Sequence, residues 1–164
     1  MSLFRTLLIL AVFGLASACS DMSVRTFSDA EFANLANIEV QDVKGRSGQL
    51  YTRQLQNQLA VKHIMAPTHQ VVSAINASSA NTLSIVGSSS TLKKMTMTAS
   101  FELININTGE VELSESLSTN ATLGAVTSYF GQDESEANGR ERLAKLLADR
   151  VAQRIRLHFL TRGS

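Results

Sequence analysis

The chain has one cysteine, one proline, no tryptophan and no marked excess of either charge. Each scarcity excludes something. A single thiol has no partner within the chain, so in an oxidising compartment, where cysteines are usually paired, it calls for another explanation. A formal net charge of +1 gives no overall attraction to nucleic acid. The only long apolar run, Leu7 to Leu15, falls well short of the ~20 residues needed to span a membrane. The shortage of Pro and Trp beside many Ser, Thr, Asn and Gln residues suggests a sheet-bearing secreted domain rather than a metabolic enzyme. The three histidines, His63, His69 and His158, fall in no spacing that would set two on one helix face or strand pair for a metal. There is no G-x-S-x-G nucleophile motif, and no Gly-rich loop follows a strand to cradle phosphate. Neither an enzyme nor a bound cofactor is expected.

What is there begins at the N-terminus. Arg5, the apolar run and Ala16-Ser17-Ala18 have the layout of a secretory signal peptide over residues 1–18. Leu15-Ala16-Ser17-Ala18-Cys19 resembles the lipobox of bacterial lipoproteins, with Ala16 where Leu is usual. The same residues also read as an A-x-A cleavage site that would leave Cys19 free. The lipobox resemblance implies acylation of Cys19, and Ser20 after it, rather than Asp, implies sorting to the outer membrane. Three acyl chains at about 0.8 kcal/mol per buried CH₂ would exceed what stable anchoring requires. Residues 19–37 then form a polar tether, and 38–164 a single domain large enough for one core.

Within the tether, Ser28 and Glu31 are spaced as a capping box with Phe27 and Phe32 as its hydrophobic staple, predicting a short helix over 29–36. Ile38, Val40 and Val43 alternate like a short strand, ended by Lys44-Gly45. Ser47 can cap a helix running through Val61, with Tyr51, Leu55 and Leu59 on one face. From His69 the period becomes two, with Val71, Ser73 and Ile75 on one side. A Ser/Asn-rich interruption precedes a second strand segment from Thr82 to Val86, and Gly87 to Ser90 supplies a turn. In the clearest strand, Met95, Met97, Ala99, Phe101 and Leu103 face one way and Thr96, Thr98, Ser100 and Glu102 the other. Asn107-Thr108-Gly109 closes a hairpin, and Val111, Leu113 and Leu117 return against Glu112, Ser114 and Ser116, with Glu110, Glu112 and Glu115 read as a solvated face. A long helix comes next over about 134–159, capped by Asp133 with Glu136 reciprocating, its buried stripe made of Leu143, Ala144, Leu147, Ala148, Val151 and Ile155. Gly139 weakens its first turns unless something packs closely there. One-sided helices and a one-sided sheet must bury their apolar faces on each other. The expected fold is α+β: a two-layer sandwich with two main helices on one face of a mostly antiparallel, mixed sheet of about four strands.

The local charges are basic. Lys93 and Lys94 open the best strand, and Arg140, Arg142, Lys145, Arg150, Arg154 and Arg156 crowd the last helix. These cations read first as a solvated helix face. They read second as a site for an anionic partner such as a phosphorylated lipid, with Arg150 and Arg154 on the margin of the apolar stripe, where a guanidinium can grip phosphate.

The lipobox-like start, the Gln-rich helix from Gly48-Gln49-Leu50 to Leu59, the strand pair Thr98-Ala99-Ser100-Phe101-Glu102-Leu103 and Asn107-Thr108-Gly109-Glu110-Val111, and Ser128-Tyr129-Phe130 before Glu136-Ala137 and Arg140 to Arg156 together resemble the LptE family in its alphaproteobacterial form. The resemblance covers roughly Gly45 to Phe159. It departs from the family at Ser20 to Asn37, which is polar and proline-free where members often carry an aromatic and proline-rich segment. It implies a non-enzymatic lipoprotein anchored at the periplasmic face of the outer membrane, which plugs and helps assemble the LptD β-barrel and takes part in lipopolysaccharide transport. The implied partners are LptD, lipopolysaccharide and the outer membrane itself. Lys93, Lys94, Arg150 and Arg154 are then the candidate lipid contacts. The competing expectation is a periplasmic auxiliary or carrier lipoprotein of an inner-membrane lipid transporter, which would enclose a deep apolar cavity.

Overall fold

The computed structural model describes residues 35, 37–59, 66–84, 91–124 and 128–162. The signal peptide, Cys19, the capping box, His63 and the turn at Gly87 lie outside them. Of the short helix expected over 29–36, only Leu35 is described, helical and buried.

Strand β1 (Ile38–Val40) leads through Gly45 into helix α1 (Arg46–Leu59), and β2 (His69–Ser84), β3 (Thr91–Asn105) and β4 (Val111–Leu123) precede helix α2 (Tyr129–Arg162). The strands form one sheet in the order β1-β2-β3-β4, with β1 parallel to β2 and the other pairs antiparallel. A helix between β1 and β2 is what a parallel pairing requires, since a tight turn can only reverse the chain. The architecture is the expected α+β arrangement with a mixed four-stranded sheet.

One face of β3 organises the core. Met95, Met97, Ala99, Phe101 and Leu103 are each at most 1% exposed, and burying a side chain of this size contributes about 1.5–3 kcal/mol. The α2 stripe reaches further than its periodicity alone indicates: Ala152 and Phe159 are buried along with Leu143, Ala144, Leu147, Ala148, Val151 and Ile155. Gly139 belongs to the same contact. A Cβ there would stand 2.9 Å from Leu123 Cδ2, so the missing side chain lets the helix approach β4.

Helix α1 adds Tyr51, Leu55 and Leu59, all at most 1% exposed. The Tyr51 hydroxyl donates to Ser73 Oγ at 3.1 Å, and burial pushes its pKa up to about 12 against that hydrogen bond. Polar contacts join α1 to α2: Arg46 to Glu141 at 2.6 Å, Gln54 Nε2 to Asp149 at 2.7 Å, and Arg156 to the Gln58 carbonyl.

Several local expectations are corrected. Helix α1 starts at Arg46 rather than behind a Ser47 cap: Gly45 adopts φ +85°, and its carbonyl accepts the Gln49 amide. The helix ends among described residues at Leu59. The Ser/Asn-rich stretch does not interrupt β2, which runs unbroken for 16 residues with only a register shift between Asn81 and Leu83. An adjacent long β3 satisfies the backbone groups on one side of the strand, so these small polar residues need no burial of their own to stay extended. Helix α2 starts at Tyr129, with Ser128 Oγ accepting the Gly131 amide at 3.1 Å. Asp133 and Glu136 are therefore inside the helix, and Glu136 pairs with Lys93 and Arg140 instead of closing a cap.

Candidate functional site

The two faces of the sheet differ in kind. Both helices lie on the face carrying Met97 and Phe101. Alternation sends Asn76 and Ser78 of β2, Thr96, Thr98 and Ser100 of β3, and Ser114, Ser116, Ser118, Asn120 and Thr122 of β4 to the opposite face. Among the described residues no helix packs there, and the β4 members are all exposed. This leaves a broad, hydroxyl-rich platform, with Glu102 and Lys94 its charged members on β3.

At one end of the sheet the hairpin produces a polar cluster that the sequence pattern did not reveal. Asn105 Oδ1 accepts the Asn107 amide at 3.0 Å, and Gly109 adopts φ +71°. Immediately after this turn the register slips: Ile104 pairs with Val111 but Leu103 with Leu113, so Glu112 is an extra residue in a β-bulge. The slip exposes Val111 and turns the Glu112 side chain inward, where it is 4% exposed. Glu112 is thus no part of a solvated face.

Three basic groups converge on Glu112 Oε2: His69 Nε2 from β2 at 3.4 Å, His158 Nε2 from α2 at 3.5 Å, and Arg162 at the helix end. Asn105 donates to the other carboxylate oxygen at 3.1 Å. Phe159 stacks edge-on against His69 and His158 with centroid separations of 5.2 and 5.7 Å. Burial raises the Glu112 carboxyl, but hydrogen bonds from Asn105 and Arg162 and the charges nearby outweigh it and hold the pKa below the ordinary value. Desolvation lowers the His69 pKa, with Glu112 opposing only in part. Glu112 Oε2 and His158 Nε2 are both buried without a hydrogen-bond partner of good geometry among the described residues, so the two histidines meet that oxygen as close charge contacts. The cluster closes the floor of a shallow depression of about 390 Å³ bounded by Glu110, Val111, Thr161 and Arg162. It pins the end of α2 to the hairpin and the start of β2. Among the described residues no group of His, Cys, Asp and Glu has the geometry of a metal site.

His69 and His158 are 89 positions apart, which no local spacing could bring together. One signal was available. A hairpin loop ending in a left-handed Gly commonly carries a bulge, and a bulge reverses the in/out assignment of the strand residues beyond it.

The basic candidates fall in two places. Lys93, opposite Leu123, binds Glu136 at 2.6 Å, and Lys94 beside it is exposed, its side chain making no ion pair or hydrogen bond among the described residues. Arg150 donates to the Ser118 carbonyl at 2.9 Å, and Arg154 grips Glu115 through Nε at 2.7 and 2.9 Å. Leu123 and Glu115 are eight strand positions apart, about 27 Å at ~3.4 Å per residue, so the lysines and arginines form no single site. Close to the lysines, at the start of α2, Tyr129 and Phe130 are 85% and 82% exposed.

Residues 35–155, about three-quarters of the chain, match the profile of the family described as LptE, lipopolysaccharide-assembly. Several solved structures share the fold. A Caulobacter crescentus protein described as a lipoprotein aligns at 17% identity with a TM-score of 0.64, covering 80% of this chain and 96% of that one. Rare lipoprotein B from Shewanella oneidensis aligns at 11% identity and TM-score 0.57, covering 78% and 98%. A minor lipoprotein from Acinetobacter baumannii aligns at 10% identity and TM-score 0.58, covering 74% and 92%. No curated protein matches the chain.

Proposed function

The chain belongs to the LptE lipopolysaccharide-assembly family, and from that premise we propose that it plugs and helps assemble the LptD β-barrel at the outer membrane. Its role in lipopolysaccharide assembly, a non-enzymatic one, comes with the family. The finer reading rests on one observation, the open Ser/Thr/Asn face of the sheet. A wide barrel has a polar, wet interior. A flat platform of short hydroxyl and amide side chains can exchange its water for barrel side chains without leaving a charge buried and unpaired.

Acylation of Cys19 would tether the domain to the inner leaflet of the outer membrane. Lipopolysaccharide is phosphorylated and acylated, and of the four candidates the exposed Lys94, whose ammonium has no partner among the described residues, is the one most available to its phosphates. Lys93 would join it by exchanging Glu136 for phosphate. Arg150 and Arg154 would reach the lipid only by releasing the Ser118 carbonyl and Glu115.

A carrier subunit of an inner-membrane transporter would need an enclosed apolar cavity. Among the described residues the recesses of about 510, 390 and 250 Å³ all open to solvent, and the two larger ones are lined by groups such as Asp42, Lys44, Arg53, Glu110 and Arg162, which favours the plug. The test is to isolate the tagged full-length protein from its native envelope in mild detergent. Co-purification of LptD with an acylated Cys19 is expected. Recovery of an inner-membrane transporter, or of no partner with an unmodified Cys19, would overturn the reading.

A further inference from the structure

The two edges of the sheet are treated very differently by the sequence. Strand β4 carries the devices that keep an edge from pairing. It has the bulge at Glu112, charged side chains at Glu112 and Glu115, and an Arg150 guanidinium seated on the Ser118 carbonyl at 2.9 Å. Strand β2 has none of these from Gln70 to Ala80, its one register shift lying further on, between Asn81 and Leu83. Between Gln70 and Ser84 it contains no charged residue and no proline. Ala74 and Asn76 to Asn81 are exposed.

That edge is already used as a template over a short stretch. β1 pairs with it only from His69 to Val71, and the last contact is the Gln41 amide donating to the Val71 carbonyl at 2.9 Å. The chain then turns away toward α1. In a strand the N–H and C=O of one residue point to the same side and alternate with those of the next. Val71 faces the β1 side, where its carbonyl accepts the Gln41 amide, so odd-numbered residues of β2 face outward and even-numbered ones serve β3. The amides and carbonyls of Ser73, Ile75, Ala77 and Ser79 therefore point outward, and no described strand meets them.

We propose that the outer edge of β2 from Ser73 to Ser79 is a docking site for an extended, uncharged segment of the barrel partner, which continues the line of β1 and extends the sheet. The occupant's chemistry is dictated by the edge. Alternating backbone groups at strand spacing recognise another extended backbone, as in strand addition, and flanking side chains no larger than Ile and free of charge leave a charged segment without compensation. The inference rests on the plug reading above.

The experiment uses the full-length protein co-purified with LptD and compares amide hydrogen exchange in the isolated and barrel-bound chain. Ile75, Ala77 and Ser79 should exchange at least tenfold more slowly in the complex, while Asn76 and Ser78, already bonded to β3, should change little. Ala77→Pro and Ser79→Pro remove an outward N–H that β3 does not use, so the fold should persist by far-UV circular dichroism while recovery of the barrel falls several-fold; Ala77→Ser should recover it fully. Barrel recovered with those three amides still exchanging fast would sink the edge proposal and leave the plug standing. Slow exchange already in the isolated chain, with a dimeric mass, would assign the edge to a second copy and overturn it too. If wild-type protein recovers no barrel, the plug reading itself fails and the proposal goes with it.

Discussion

His69 Nε2 stands 3.4 Å from Oε2 of Glu112, joining the first residue of β2 to the bulge that opens β4. His158 and Arg162 approach the same oxygen from α2. Both ends of this contact have depressed pKa values in the folded protein, and both carry the same consequence for acid. A depressed His69 favours its neutral form, so its contribution is full above the ordinary 6.5 and is lost as pH falls through the lower folded value. Glu112 adds a second loss as pH falls from the ordinary 4.5 through its own lower value. Thermal unfolding should therefore show a declining melting temperature from about pH 6.5 downward, and His69→Gln should remove the first part of that decline. An unchanged profile in the variant would exclude His69 as its source.

Glu112→Gln keeps the shape of the side chain and removes its charge. Arg162, half-exposed, can turn to water, but the inward carboxylate site loses its charge-assisted contacts. A loss of about 1–2 kcal/mol in urea unfolding at neutral pH is expected. A variant as stable as wild type would mean that the cluster contributes nothing net to folding.

Two glycines should differ in their tolerance of alanine. At Gly48 a Cβ would lie 2.4 Å from the Val43 carbonyl oxygen, a backbone atom held in place by the Val43 amide donating to Thr52 Oγ1. Gly48→Ala should cost about 1–3 kcal/mol despite better helix propensity. At Gly139 the obstacle is the end of the Leu123 side chain, which can rotate, so Gly139→Ala should stay within about 1 kcal/mol of wild type. Parallel denaturation curves decide both.

Simultaneous Ala substitution of Lys93, Lys94, Arg150 and Arg154 should weaken binding to purified lipopolysaccharide, with the lysine pair alone giving most of the effect because the Lys94 side chain has no partner among the described residues. The difference should shrink at high salt. Unchanged binding by the quadruple variant removes these residues as lipid contacts.

The fold was largely legible because its main signals are local. The odd-numbered apolar series from Met95 to Leu103 can bury itself only as one face of a strand, and the repeat from Leu143 to Ile155 only as one stripe of a helix. Where the reading failed, a neighbour had overridden local preference. The run from Asn76 to Asn81 reads as a loop by composition and is extended because β3 lies along it. The cap of α2 lies at Ser128, five residues before Asp133, whose side chain suits a cap just as well.

The amino-acid order alone determined the two-layer α+β design, the inward residues of β3 and the resemblance to the LptE family, since each depends on periods of two or 3.6 and on short motifs. Only the tertiary structure decided that Glu112 faces inward, that His69 and His158 meet on it, and that Arg150 guards one sheet edge while along the other, beyond Val71, no described strand meets β2. Those relations join residues far apart in the chain, and a single bulged residue after Gly109 sets which side of the sheet the Glu112 carboxylate serves.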